Sequence, residues 1–184
     1  MGAEYWRGQI VRLRAVEPSD WEVHFIWNQD SDMTRQLDHV WFPQSREATK
    51  RWAEKAAAAD TSGNNFHFEV ENLAGELVGV IGTHDCDPRN GTFSYGVAIR
   101  PEHQRQGYAS DAIRVVLRYY FEELRYQKAT VHIYGFNEAS IHLHERLGFQ
   151  QEGLLRRMVY TRGQFFDALV FGMTDDEFVA SDRW

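Results

Sequence analysis

The apolar positions along the chain change period several times, and each change marks an element. Alternation in Gln9-Ile10-Val11-Arg12-Leu13 predicts a first strand. Pro18-Ser19-Asp20 opens a helix over residues 18–28, with the proline in the first turn, where its missing N–H costs nothing. Ser45 caps a second helix that runs through Ala59 and is rich in Ala, Glu and Lys. Gly63-Asn64-Asn65 is a turn, and β-rich runs follow over residues 66–71, 77–84 and 92–99. Asn72-Leu73-Ala74-Gly75 and Asn90-Gly91 supply the hairpin turns between them. Asn-Gly is a strong signal because both residues tolerate positive φ. Helical spacing returns at Ala109, Ala112, Ile113, Val116, Leu117, Tyr120 and Leu124. Residues 129–134 then alternate as a strand, Asn137 caps a last helix, and Gly148 ends it in the left-handed conformation. Residues 154–160 and 165–173 form a hairpin around Thr161-Arg162-Gly163-Gln164. Hairpins first and strand–helix–strand units after them predict an α/β (α+β) fold. Its central sheet is mixed and mostly antiparallel, with about seven strands and helices on both faces.

The 184 residues show no internal repeat, low-complexity tract or linker, so a single domain spanning residues 1–184 is expected. No apolar run reaches the length of a membrane span, and residues 1–10 lack a signal-peptide core. The single cysteine, Cys86, excludes an internal disulfide, and a cytoplasmic location follows as the simple expectation. Without an export signal the sequon Asn90-Gly91-Thr92 carries no weight. A formal net charge of −7 argues against nucleic acid as the principal partner. It suits a cationic amine, although solubility alone accounts for it.

The segment from Val97 to Ser110 adds chemistry to this outline. A strand stops at Pro101, a polar loop containing Gly107 follows, and a helix starts at once. Loop and first-turn N–H groups lack backbone partners, and the helix dipole is positive there, so the junction can receive phosphate. Gly107 would let the backbone approach the anion and adopt dihedrals closed to side chains. Many such junctions bind nothing, and the pattern alone leaves both readings open. The residue order goes further. Gln104-x-x-Gly107-x-Ala109 resembles the Q/R-x-x-G-x-G/A pyrophosphate loop of the GNAT acetyltransferases. Pro101-Glu102-His103-Gln104 resembles its lead-in, Asn137-Glu138-Ala139-Ser140 its N-x-x-A/S segment, and Leu147-Gly148-Phe149 its L/C-G-F segment. The resemblance covers roughly residues 7–175. It leans towards the RimJ/RimL-like and SpeG-like (spermidine acetyltransferase) branch.

The resemblance implies a GNAT-like fold and an acetyl-CoA-dependent N-acetyltransferase. The acetyl group would pass directly to a primary amine in a ternary complex; the acceptor could be a polyamine or a protein N-terminus. The alternative is a non-catalytic acyl-CoA-binding sensor or interaction module. By resemblance, acetyl-CoA is the cosubstrate, and its pantetheine arm lies along Val97, Ala98 and Ile99, pairing with the backbone of Val97 and Ile99. Gln104, Arg105, Gln106, Gly107, Tyr108, Ala109 and Ser110 surround its pyrophosphate, and the Asn137 amide contacts the pantetheine. Core packing for Val97 and Ile99, and a helix cap for Asn137, are the plain readings beside these.

Acyl transfer to an amine needs a neutral amine, a polarised carbonyl and a stabilised or protonated thiolate. Many relatives place a Tyr as the thiolate's acid where this chain has His144, in Leu143-His144-Glu145-Arg146-Leu147-Gly148-Phe149. An imidazole with an ordinary pKa of about 6.5 can also donate; the plain reading is a half-exposed helix histidine. Ser140 is a second donor on that helix. Relatives often carry a Glu early in the fourth strand, where Phe93-Ser94-Tyr95 stands here. His84 or Asp85, in Thr83-His84-Asp85-Cys86-Asp87, could take the amine's proton instead, or simply form a polar hairpin mouth. Trp27, Trp41 and Phe42 lie in or beside the connection between the first two helices. They line an acceptor pocket or plug the helix pair, and Asp30, Asp32 and Asp38 nearby suit a cation. No metal is expected: the 84–87 run lacks ligand spacing, and His142 and His144, two apart on a helix, point about 200° from each other. A Ser-His-Asp hydrolase has no nucleophile elbow to support it. The expected partners are acetyl-CoA and an amine, without nucleic acid or membrane, and a homodimer is the candidate assembly.

Overall fold

Seven strands hydrogen-bond in the order β1-β2-β3-β4-β5-β7-β6 in the computed structural model, which describes residues 4–60 and 63–181. They are β1 (Val11–Arg14), β2 (His67–Asn72), β3 (Leu77–Asp87), β4 (Thr92–Ile99), β5 (Lys128–Tyr134), β6 (Gln150–Thr161) and β7 (Gln164–Thr174). The helices are α1 (Trp21–Trp27), α2 (Ser31–Leu37), α3 (Arg46–Ala57), α4 (Tyr108–Arg118), α5 (Glu138–Leu147) and α6 (Asp175–Ser181). Antiparallel pairing joins β1 to β2, β2 to β3, β5 to β7 and β6 to β7. β4 and β5 run parallel and pair at Thr92 with Lys128 and at Phe93 with Ala129. The mixed, mostly antiparallel sheet expected from the sequence is the one observed.

Local signals account for most of these elements. The Ser45 hydroxyl accepts from the Ala48 N–H and starts α3. The Asn137 side chain accepts from the Ser140 N–H and starts α5, which Gly148 closes at φ +96°. Three elements differ from expectation. Residues 18–28 divide into a 3-10 turn (Pro18–Asp20) and α1. The presumed long connection before α3 contains α2, whose cap is Asp30, accepting from the Asp32 and Met33 N–H groups. The helix of residues 109–124 passes at Tyr119 into a π turn over Tyr119–Glu123.

The chain divides into two compact units, Met1–Thr83 with Gly96–Val115, and His84–Tyr95 with Val116–Trp184. The dividing line passes within β3, β4 and α4. In the first unit Trp27, Leu77 and Val80 form a core cluster against which Val23, Met33 and Ala98 pack. In the second, Phe93 stacks on Tyr120 at 4.2 Å between ring centroids, and Phe121 packs on Phe178 of α6.

A carboxylate fastens α4 to the chain's first strand. Buried Asp111 accepts from the backbone N–H groups of Gln9, Ile10 and Val11 at 3.1, 2.7 and 3.0 Å. The approach is close enough that a Cβ at Gly8 would stand 2.4 Å from Asp111 Oδ2. Asp111→Ala leaves three donors without their acceptor. It is expected to cost about 3 kcal/mol and lower Tm by roughly 6–12 °C in thermal melts.

Candidate active site

In the first unit the sequence Arg100-Pro101 ends β4, because the proline cannot continue the ladder. A 3-10 turn (Pro101–His103) follows, and the Gln104 side-chain amide donates back to the Ile99 carbonyl at 3.1 Å. Arg105 (φ +62°) and Gly107 (φ +90°) then turn the chain into α4 through two left-handed residues. The Gly107 carbonyl accepts from the Asp111 N–H at 3.1 Å and from the Ser110 hydroxyl at 2.9 Å, which fixes the first turn of the helix. Among the described residues, no backbone carbonyl accepts from the N–H groups of residues 105–110. Residues 104–107 are exposed. The loop thus presents uncommitted donors at the positive end of an 11-residue helix, a fit for a phosphate anion. Val97 and Ala98 are half-buried and Ile99 is buried. Beyond Phe93, among the described residues, β4 has one edge without β5 as its partner.

In the second unit, Asn137 caps α5, which carries Ser140 and His144. His144 is 3% exposed, not half-exposed as the sequence suggests. Its Nδ1 lies 2.8 Å from the Ser140 carbonyl oxygen. That oxygen can only accept, so the neutral ring carries its proton on Nδ1 and leaves Nε2 bare. Nε2 is buried and has no hydrogen-bond partner. Burial pushes the His144 pKa below the ordinary 6.5, partly opposed by the Ser140 carbonyl. The resting imidazole is therefore neutral near pH 7, and a protonated ring waiting to donate is not its resting state. The Ser140 hydroxyl lies 3.4 Å from the same Nδ1. Tyr95 on β4 stacks on His144 with ring centroids 5.9 Å apart, and its hydroxyl is also buried without a partner. Burial holds that phenol well above its ordinary pKa, so it stays protonated. His84 and Asp85 pair with each other at 2.9 Å on the exposed far part of β3, which runs on to Asp87.

The acceptor-side residues separate. Trp27 is 6% exposed in the core cluster, so of its two readings the structure gives it packing. Trp41 is half exposed with its ring 3.8 Å from that of His39, and Phe42 is 92% exposed. The acidic groups beside them are engaged: Asp30 caps α2, Asp32 pairs with Arg35, and Asp38 pairs with His39 at 3.0 Å.

Residues 11–150 match the acetyltransferase (GNAT) domain profile. The chain belongs to the GNAT acetyltransferases. A Bacillus subtilis SPbeta prophage-derived uncharacterized N-acetyltransferase, YokL, is 39% identical over 178 residues, covering 97% of either chain. The spermidine N(1)-acetyltransferase of Vibrio cholerae is 28% identical over 157 residues, 85% of this chain and 88% of that one. Among solved structures, Vibrio cholerae spermidine N-acetyltransferase in complex with CoA and spermine superposes with a TM-score of 0.80. That match is at 22% identity over 92% of this chain and 98% of the other. As a GNAT acetyltransferase the protein is an enzyme of acyl transfer. His144 stands where the resemblance leads to the expectation of a Tyr, and Phe93, Ser94 and Tyr95 stand where it leads to the expectation of a Glu. Sequence reasoning missed Tyr95; the only signal for it is that it shares a strand face with Phe93, which marks core as readily as chemistry.

Proposed function

We propose that the protein transfers the acetyl group of acetyl-CoA directly to a primary amine, with a polyamine as the acceptor class. The observation that carries this reading is the set of uncommitted N–H groups over residues 105–110 at the start of α4, which suits a pyrophosphate. The similarity to spermidine N(1)-acetyltransferases supports the acceptor class. In the transfer, the amine nitrogen bonds to the thioester carbonyl carbon, the C–S bond breaks, and one proton moves from nitrogen to sulfur. A neutral His144 with a bare Nε2 suits a group that first accepts that proton and then returns it, in the manner of a histidine serving as base and then acid. Ser140 then positions the ring through its carbonyl and does not act as a donor itself. His84 and Asp85, paired to each other and exposed, have no part in this scheme.

A thiol-release assay with acetyl-CoA and a panel of spermidine, spermine, a peptide with a free N-terminus and an aminoglycoside tests the reading. Turnover is expected with the polyamines. Release with the peptide alone would move the acceptor to protein N-termini. Binding of acetyl-CoA without release from any amine would favour the sensor reading. With an active amine in hand, Trp41→Ala is expected to raise the acceptor KM several-fold while leaving acetyl-CoA affinity nearly unchanged. The ring offers an exposed face to a cation, a contact typically worth about 0.5–1 kcal/mol. Equal damage to both substrates, or to Tm alone, would assign Trp41 to packing.

A further inference from the structure

Under α1, in the first unit, lies a polar group that acetyl transfer does not use. Along β2, Phe68 and Val70 occupy one face, and His67, Glu69 and Glu71 the other. Glu71 is matched by Arg14, which also holds Asp20. Glu69 is not matched in this way. It is 0% exposed, and one of its oxygens, Oε1, lies 2.7 Å from His24 Nε2 of α1 and 3.9 Å from His67 Nε2. The other oxygen, Oε2, is buried with no hydrogen-bond partner. Trp52 of α3 packs edge-on against both imidazoles, at 4.5 Å from His24 and 5.6 Å from His67. Two imidazoles and a carboxylate with a spare buried oxygen therefore converge, their ligand atoms all within 4.8 Å of one another.

We propose that His24, His67 and Glu69 bind a first-row divalent cation of the zinc class. Two His and one Glu are an established zinc donor set, and imidazole ligands disfavour magnesium and calcium. With metal–ligand bonds of about 2.0–2.2 Å, tetrahedral ligand atoms stand roughly 3.3 Å apart. The observed 2.7 and 3.9 Å bracket that separation, so small side-chain rotations close the site. Bound through both oxygens, Glu69 would also give Oε2 the partner it lacks, and a buried unpaired carboxylate oxygen is costly to keep. The His67 side chain is 39% exposed, which gives an ion a way in and leaves the fourth position open to water. The bound ion would cross-link α1 to β2 and so hold the helix that ends at Trp27. The expectation of no metal weighed only the 84–87 run and the His142/His144 pair. These ligands come from two elements: His67 and Glu69 alternate along one face of β2, and no local spacing connects that pair to His24 of α1.

The test uses the full chain, stripped with a chelator and titrated with zinc chloride by calorimetry. One tight site per chain is expected. His67→Ala, which removes the exposed ligand, should weaken it at least tenfold, as even outer partners of metal ligands do. His67→Cys, which restores a zinc ligand, should recover most of the affinity. His84→Ala, at the exposed His84–Asp85 pair, should leave binding unchanged. Zinc should raise the Tm of the wild type but not of His67→Ala. No binding, or equal affinity in the wild type and His67→Ala, would overturn the proposal.

Discussion

Gly107→Val is expected to lose about tenfold or more in acetyl-CoA affinity while keeping the wild-type fold. At φ +90° this position lies where a β-branched residue is a strong outlier, and holding one there costs about 1–3 kcal/mol. Crowding is a smaller effect: the added Cβ would meet only Ile10 Cδ1, at 3.3 Å. The strain falls on a segment whose function depends on backbone direction, because the proposed anion contacts are N–H groups over residues 105–110. Relaxing φ re-aims those groups and disturbs the Gly107 carbonyl that anchors Ser110 and Asp111. The loop is exposed, so little of the core is at stake. Gly75→Val is the control. It imposes similar strain at φ +81° in a hairpin turn with nothing within 4 Å of the added Cβ. Its acetyl-CoA affinity should match the wild type. Calorimetry showing wild-type affinity in Gly107→Val would remove the loop from cofactor binding.

The contrast between Gly107 and His144 shows what the sequence can carry. The loop was legible because its information is local: a proline that stops a strand, a glycine that permits a left-handed turn, and an apolar stripe that starts a helix. The caps at Ser45 and Asn137 and the stop at Gly148 were legible for the same reason. Where long-range packing decides, the sequence was silent or ambiguous. α2 buries only Thr34 and so shows no stripe. β6 starts at Gln150, earlier than its alternation suggests, because register shifts at Gln151/Gly153 and Leu155/Val159 break the period. Trp27 could have faced a pocket or the core, and spacing does not say which. The burial of His144, its proton on Nδ1, the stacked Tyr95 and the meeting of His24 with Glu69 all come from contacts between distant segments. None leaves a mark in local spacing.

His144→Phe is expected to lower kcat about 10²–10⁴-fold, the usual worth of a positioned proton-transfer group, with a much smaller change in acetyl-CoA KM. Phenylalanine keeps a ring against Tyr95 and Phe149 but has no nitrogen to replace the orphan Nε2. The pH profile separates the two roles open to the imidazole. If it must first accept a proton, wild-type kcat rises with pH through a value below 6.5 and then levels, because burial lowers the folded pKa. If it had to start protonated, kcat would fall above that value. The rising limb is expected, and it should vanish in His144→Phe. A purely structural histidine would show itself in stability instead. With its folded pKa below 6.5, the unfolded chain binds the extra proton first. The neutral ring's contribution is then intact above pH 6.5 and is lost as pH falls through the lowered value. A variant whose only change is a flatter dependence of Tm on pH, with kcat untouched, would make His144 a packing residue.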